Sequence, residues 1–238
     1  MEAWRDVPGD AAAGLLLIAD HAANDVPDGI DLGVPAAVME DHVAIDIGVA
    51  PLARALCRAL ACPGILAGVS RLVIDFNREE DAAGLIPQAS DGHAIPGNRI
   101  DAGERRRRIE AYWRPYHRHI SNRIDVLKPN MLISLHSFTP ALRTDGSPRP
   151  WQIGILYNDD ARAAERALPL LAEAGIVAGD NLPYSGKVLN ATMNAHGEAR
   201  GLPYLGIEVR QDLIADAAGV AVWAGRLAPV IRAVGDGL

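Results

Sequence analysis

Four short apolar runs in this chain each end in side chains that a hydrophobic core would not choose. Residues 15–19 run into Asp20 and His21. Residues 72–76 enclose Asp75 and run into Asn77 and Arg78. Residues 133–135 lead to His136 and Ser137, and residues 206–209 carry Glu208 and lead to Arg210. Apolar runs of this length, bounded by polar residues, read as buried strands. In open α/β sheets, ligands bind outside the carboxyl ends of the strands. Strands that each deliver polar chemistry at that end therefore predict one catalytic pocket.

The intervening stretches carry helical periodicity over 36–61, interrupted by Pro51, and over 101–127, 160–174 and 217–234. The 101–127 helix opens at Asp101 with Glu104 three residues on, a capping signal. Further strands are predicted at 65–69, 131–136, 152–157 and 204–209. Strands separated by helices imply an α/β sandwich with a largely parallel sheet. No repeat or linker divides the sequence, so one domain over 1–238 is expected. The Gly- and Pro-punctuated connections 84–98 and 180–201 read as active-site loops, and the first as a candidate lid.

A formal net charge of −7 argues against a general nucleic-acid binder. The run Arg105-Arg106-Arg107-Arg108 reads as a solvated helix face balanced by that charge. Cys57 and Cys62 do not have the spacing of a common zinc knuckle and fit a reducing compartment. The apolar run 15–19 is far too short for a signal peptide or a membrane span. The expectation is a soluble, cytoplasmic protein with neither nucleic acid nor membrane as a partner.

Among the seven histidines, His21 and His136 close strand-like runs. Two imidazoles at strand ends favour a metal. A catalytic zinc takes three protein ligands and keeps a position open for water. Neither cysteine is placed to help, so the third ligand should be an oxygen donor. Asn24 stands three residues after His21, and Asp20, Glu40 and Asp46 are alternatives; His42 and Asp46 are spaced to share a helix face. Glu208 is the natural general base, taking a proton from water and handing it to a leaving nitrogen. Arg78 beside Asn77 reads as an anion clamp, with Arg71 and Arg210 in reserve, which points to a small anionic substrate. Tyr184, Ser185 and His196 lie in one long loop and could close over it. No Gly-x-Ser-x-Gly elbow, P-loop or dinucleotide fingerprint occurs.

Five segments taken together resemble the N-formylglutamate amidohydrolase family. They are Asp20-His21-Ala22-Ala23-Asn24-Asp25-Val26-Pro27, the run from Ser70 through Asp75 to Arg78, Ser134-Leu135-His136-Ser137-Phe138-Thr139-Pro140, Asn181-Leu182-Pro183-Tyr184-Ser185-Gly186 and Glu208-Val209-Arg210-Gln211-Asp212-Leu213. The match runs in order from about residue 14 to residue 215. More distantly, the chain is similar to zinc carboxypeptidases, which present a His-x-x-Glu, an Asn-Arg, a His-Ser and a Glu-x-Arg in the same order. The resemblance implies a three-layer α/β/α sandwich around a mixed, largely parallel sheet. It implies one zinc ion on His21 and His136, Asn77 and Arg78 holding a carboxylate, and Glu208 as base. Asn24 stands where the distant group has its glutamate ligand. The implied reaction removes a short acyl group, most simply formyl, from an acidic amino acid such as glutamate. The alternatives are another N-acyl-amino-acid hydrolase, a carboxypeptidase-like enzyme, or a binding protein whose metal site is weakened at Asn24.

Overall fold

The computed structural model describes residues 1–238. Its centre is a seven-stranded sheet in the order β1-β3-β2-β6-β9-β7-β8. The strands are β1 (Trp4–Val7), β2 (Leu15–Ala19), β3 (Gly64–Ala67), β6 (Met131–Phe138), β7 (Ile153–Leu156), β8 (Ala178–Asp180) and β9 (Tyr204–Arg210). A two-stranded hairpin, β4 (Ala89–Ser90) with β5 (His93–Ala94), stands apart from it. Strands β3, β2, β6 and β9 are parallel. β1 closes one edge antiparallel to β3, while β7 and β8 run together against the direction of β9.

Both faces of the sheet are covered, as the continuous apolar strands require. Along β2, Leu15, Leu17 and Ala19 join a core of 35 buried residues, and Leu16 and Ile18 join one of 25 on the other face. Burial of each such leucine or isoleucine contributes roughly 1.5–3 kcal/mol. Helices α2 (Val49–Leu60), α5 (Arg162–Glu173) and α7 (Ala217–Asp236) cover the first face. The second face is covered by α4 (Arg114–Leu127), preceded by α3 (Ala102–Arg108) and a π-helical turn (Ile109–Trp113), and by irregular backbone from 69 to 95. This is the three-layer sandwich with a mixed, mostly parallel sheet. α7 is long and apolar enough to span a bilayer, yet it buries Val220, Trp223, Leu227, Ile231 and Val234 against the sheet layer.

The expected strand at 72–76 does not form; the segment runs in turns. Its apolar side chains are buried as expected: Leu72, Val73, Ile74 and Phe76 are inaccessible to solvent. Its backbone is satisfied differently. Ser70 O accepts from Val73 N and Ile74 N at 2.9 and 3.3 Å. The carbonyls of Leu72 and Val73 accept from Asn98 Nδ2 at 2.7 Å and Arg108 Nη1 at 3.1 Å. An apolar run signals burial, and side-chain donors let a buried turn meet the same demand that a ladder would. The arginine run is likewise no solvated face throughout. Arg108 is buried against Val73 and Asn98, and Arg105 holds the carbonyls of Glu80 and Ala82.

The helix expected over 36–61 is broken. A four-residue α1 (Ala36–Met39) gives way to turns, and α2 begins at Val49 with Pro51 in its first turn, where a missing N–H costs nothing. Gly48 caps it at φ 79°, and a Cβ there would lie 2.2 Å from Ile214 O. Pro115, just past the π-helical turn, has no N–H for the carbonyl four residues back and would crowd it, so the widened turn accommodates it. The edge strands β1 and β8 and the hairpin have no counterpart in the apolar pattern. The 180–201 connection carries a short helix, α6 (Ala191–His196).

Gly48→Ala combines a left-handed backbone with a direct clash, so we expect a loss of at least about 2 kcal/mol in urea unfolding at an unchanged m-value.

Candidate active site

Register brings the strand-end groups together. His136 on β6 pairs directly with Glu208 on β9, so both point to the same face at the carboxyl end of the sheet. His21 follows the end of neighbouring β2, and its carbonyl accepts from Asp46 N at 3.0 Å, tying the 40–48 turns to that strand end. His21 Nδ1 and His136 Nδ1 stand 3.1 Å apart. Asp46 Oδ2 lies 2.9 Å from His136 Nδ1 and 3.4 Å from His21 Nδ1, and also accepts from Ser137 N at 3.2 Å.

Two imidazole nitrogens and one carboxylate oxygen thus converge within 4.8 Å of one another, all buried. Ligands at about 2.0–2.1 Å around a tetrahedral ion are separated by roughly 3.3 Å, which matches this spread. Carboxylates also stand near both outer nitrogens, but only one is hydrogen-bonded. His21 Nε2 is 2.7 Å from Asp75 Oδ1. His136 Nε2 faces Asp20 Oδ2 at 3.8 Å, and both of these buried atoms are otherwise without a partner. The Asp75 hydrogen bond fixes the His21 ring and raises its basicity, as a carboxylate behind a metal-binding histidine does. The donor set therefore fits a divalent cation.

Asn24 is not part of it. Its Nδ2 donates to Met39 O at 2.8 Å and to Glu40 Oε1 at 3.3 Å, which anchors α1 behind the His21 turn. Glu40 is exposed, and Asp20 is held by the Tyr116 hydroxyl at 2.8 Å on the far side of His136. The oxygen that converges with the two imidazoles is that of Asp46, brought in by turns where a helix was expected. His42, in the same turns, lines the cleft between Asp41 and Asp91.

Electrostatics bind this cluster. Burial and Arg71 both depress His21, but Asp75 and Asp46 outweigh them and raise it to about 9. Burial penalises the charged forms of Asp46 and Asp75, yet the two histidines beside Asp46, and Arg71 with His21 beside Asp75, hold both carboxyls well below the usual range. Glu208 is pushed the other way, up to about 7, because burial dominates and Asp46 adds repulsion. Its Oε2 has no hydrogen-bond partner.

The cleft over these groups has a volume of about 180 Å³ and is lined also by Arg71, Asn77, Arg78, Thr139, Tyr184 and Leu189. Asn77 Oδ1 accepts from Thr192 N at 3.1 Å, which leaves its Nδ2 donors for the cleft. Arg78 reaches an acid only at 3.9 Å, Asp75, so its guanidinium is available. Arg71 lines the cleft but is engaged by Asp46 at 3.3 Å and Asp75 at 2.9 Å. Tyr184 reaches the rim because Gly154 and Gly179 leave room for the Leu182 carbonyl, which would lie 2.5 and 2.4 Å from their Cβ atoms. Arg149 stacks 4.8 Å over the Tyr184 ring and donates to its hydroxyl.

Three expected substrate contacts lie elsewhere. Arg210 is paired with Asp212 at 2.8 Å and reaches the Arg149 and Trp151 carbonyls. Ser185 Oγ accepts from Lys187 N in a turn. His196 is buried against His117 at 2.9 Å, away from the cleft. Asp75 was the group most open to discovery, as the one charge inside an otherwise apolar run.

Residues 13–215 match the N-formylglutamate amidohydrolase family. The chain belongs to that family. Membership makes it a hydrolase of amide bonds and agrees with the motif resemblance. The gene product Atu2144 of Agrobacterium tumefaciens is similar at 30% identity and a TM-score of 0.92, with 100% of this chain and 96% of that chain covered. A bacteriophage poly-γ-glutamate hydrolase is similar at 10% identity and a TM-score of 0.48, over 96% of this chain and 88% of that one. The catalytic domain of CwlV, an N-acetylmuramoyl-L-alanine amidase from Bacillus (Paenibacillus) polymyxa var. colistinus, gives 13% identity and a TM-score of 0.41, over 92% and 94%. No curated protein matches the sequence.

The geometry separates the two oxygen-donor candidates by experiment. Asp46→Ala should abolish stoichiometric metal in elemental analysis of purified protein, and Asn24→Ala should retain it. Asp75→Asn should weaken metal affinity by about 10–100-fold in a competition titration.

Proposed function

We propose that this chain is a zinc-dependent amidohydrolase that removes a short N-acyl group, formyl, from an acidic amino acid such as N-formylglutamate. The observation that carries the reading is Glu208: a buried, unpartnered carboxylate, register-paired with His136 and facing a cleft that also presents Asn77 and Arg78.

His21, Asp46 and His136 would hold the metal, two nitrogens and one oxygen being a common donor set for catalytic zinc. Bound there, the ion supplies Lewis acidity and lowers the pKa of water towards neutrality. The remaining work falls to the chain's own side chains. Arg78 and the Nδ2 group of Asn77 bind the substrate carboxylate, the planar guanidinium matching it in a two-point contact. That contact orients the acyl carbon over the histidine end of the cleft. Glu208, with no hydrogen-bond partner to compete for its carboxylate, accepts a proton from the attacking water. It then returns that proton to the amide nitrogen as the C–N bond breaks, releasing formate and the free amino acid. Held near 7 by burial, Glu208 is matched to both transfers close to neutral pH. Arg71, tied to Asp46 and Asp75, offsets the negative charge of those two acids.

The binding-protein alternative drew on Asn24 as a failed ligand. With an aspartate at the converging position it loses that support.

The test is formate release from N-formylglutamate by the purified protein, before and after chelation and after zinc is restored. We expect about one zinc per chain and activity that falls with chelation and returns with zinc. Glu208→Gln should keep substrate affinity and lower kcat by about 10²–10⁴-fold. Turnover that is indifferent to chelation, or a Glu208→Gln enzyme close to wild type, would overturn the assignment.

A further inference from the structure

Asn77 and Arg78 sit on backbone that belongs to no strand or helix. A two-point contact with a carboxylate needs both side chains fixed within a fraction of an ångström. Something other than a ladder must hold this backbone. The carbonyl before Asn77, that of Phe76, accepts from His117 Nε2 at 3.0 Å and from Thr192 Oγ1 at 3.3 Å. The carbonyl of Arg78 accepts from Trp113 Nε1 at 3.0 Å. Two donors from the helical segment under the cleft therefore grip the peptide groups on either side of the Asn77–Arg78 pair.

The same segment grips further back, through Arg108 on Val73 O. Arg108, Trp113 and His117 are spaced by five and then four residues. In an α-helix, five residues overshoot one turn by roughly 140°, so Arg108 and Trp113 would face different ways. The π-helical turn Ile109–Trp113 lies in that interval, and its widened i to i+5 geometry brings the two onto one side. π-bulges recur where a helix must present side chains to a functional site.

His196 completes the arrangement. A carbonyl only accepts, so the His117 proton is on Nε2, toward Phe76 O, and its Nδ1 accepts from His196 Nε2 at 2.9 Å. Burial lowers both rings, His196 to about 3, so the pair stays neutral and its tautomers carry the geometry. The Trp113 ring also packs against His117, with centroids 4.1 Å apart and planes tilted by 42°.

We infer that Trp113 and His117 are positioning residues that set Asn77 and Arg78 for the substrate carboxylate by holding the Phe76 and Arg78 carbonyls. The inference rests on the reading of Asn77 and Arg78 as the carboxylate holders. Its test therefore has one arm that needs no turnover. Trp113→Phe and His117→Phe remove the donors and keep the rings. His117→Gln restores a donor near the Nε2 position. Zinc-loaded proteins are compared by hydrogen exchange and by kinetics on N-formylglutamate.

In both phenylalanine variants we expect amides 73–78 to exchange at least about fivefold faster, with β6 unchanged. We expect KM to rise about tenfold with kcat within about threefold of wild type, the loss of a binding contact rather than of chemistry. His117→Gln should return both quantities to within about twofold of wild type. Unchanged exchange at 73–78 in both phenylalanine variants would overturn the inference. So would an equal acceleration in β6, which would make the two residues mere contributors to global stability. If the wild-type protein releases no formate, the amidohydrolase reading fails on its own, and the exchange comparison still decides whether these residues hold the segment.

Discussion

A buried knot of charge organises this molecule. His21, Asp46, Arg71, Asp75, His136 and Glu208 share one site beneath the cleft, and all but the partly exposed Arg71 are nearly or fully inaccessible to solvent. Removing an unpaired ion from water costs several kcal/mol, so the charges of Asp46, Asp75, Arg71 and the two histidines are tolerable only beside one another, while Glu208, without a partner, is pushed towards its neutral form. Asp75 illustrates the dependence: one oxygen meets His21, the other Arg71, and its Oδ1 also accepts from Asn77 N at 3.0 Å. Side chains from the β2 end, the 40–48 turns, the 70–78 segment and β6 are thereby locked to a single arrangement. A divalent cation would complete that balance by adding positive charge where Asp46 and the two inner nitrogens meet.

The parts of this fold that were legible in the sequence are those where side-chain pattern and backbone state coincide. β2, β6 and β9 are continuous apolar strands, buried on both faces, and their terminal His21, His136 and Glu208 follow from position alone. The 72–76 run broke the rule because its carbonyls found partners on Asn98 and Arg108, 26 and 35 residues away, which no local pattern announces. The oxygen donor was obscured for a related reason. Asn24 has the right spacing from His21, but spacing along the chain says little when the competing residue arrives on a separate turn. Asp46 does so through its backbone bond to His21 O. His196 and Arg210 were misplaced because a polar residue in or beside a loop looks the same whether it faces ligand or protein.

Family membership and site geometry bear on different questions. The match over 13–215 establishes the kind of bond that is cleaved, while the cleft determines which ends of a substrate can be held. α7 lies beyond the matched residues, yet it supplies eight buried residues to the larger core. Its role belongs to the sheet rather than to the chemistry, since none of its side chains lines the cleft.

The reversed direction of β7 has a consequence for how such a protein can diversify. β6 ends at Phe138 beside Arg210, and β7 begins at Ile153 beside Val209, so the connection 139–152 leaves and returns at the same rim of the sheet. Lengthening or shortening it disturbs no crossover and shifts no strand register. It carries Arg149 against Tyr184 at the mouth of the cleft. Exchange of this loop therefore reshapes the mouth of the cleft while the sheet and the buried charges beneath it stay in place.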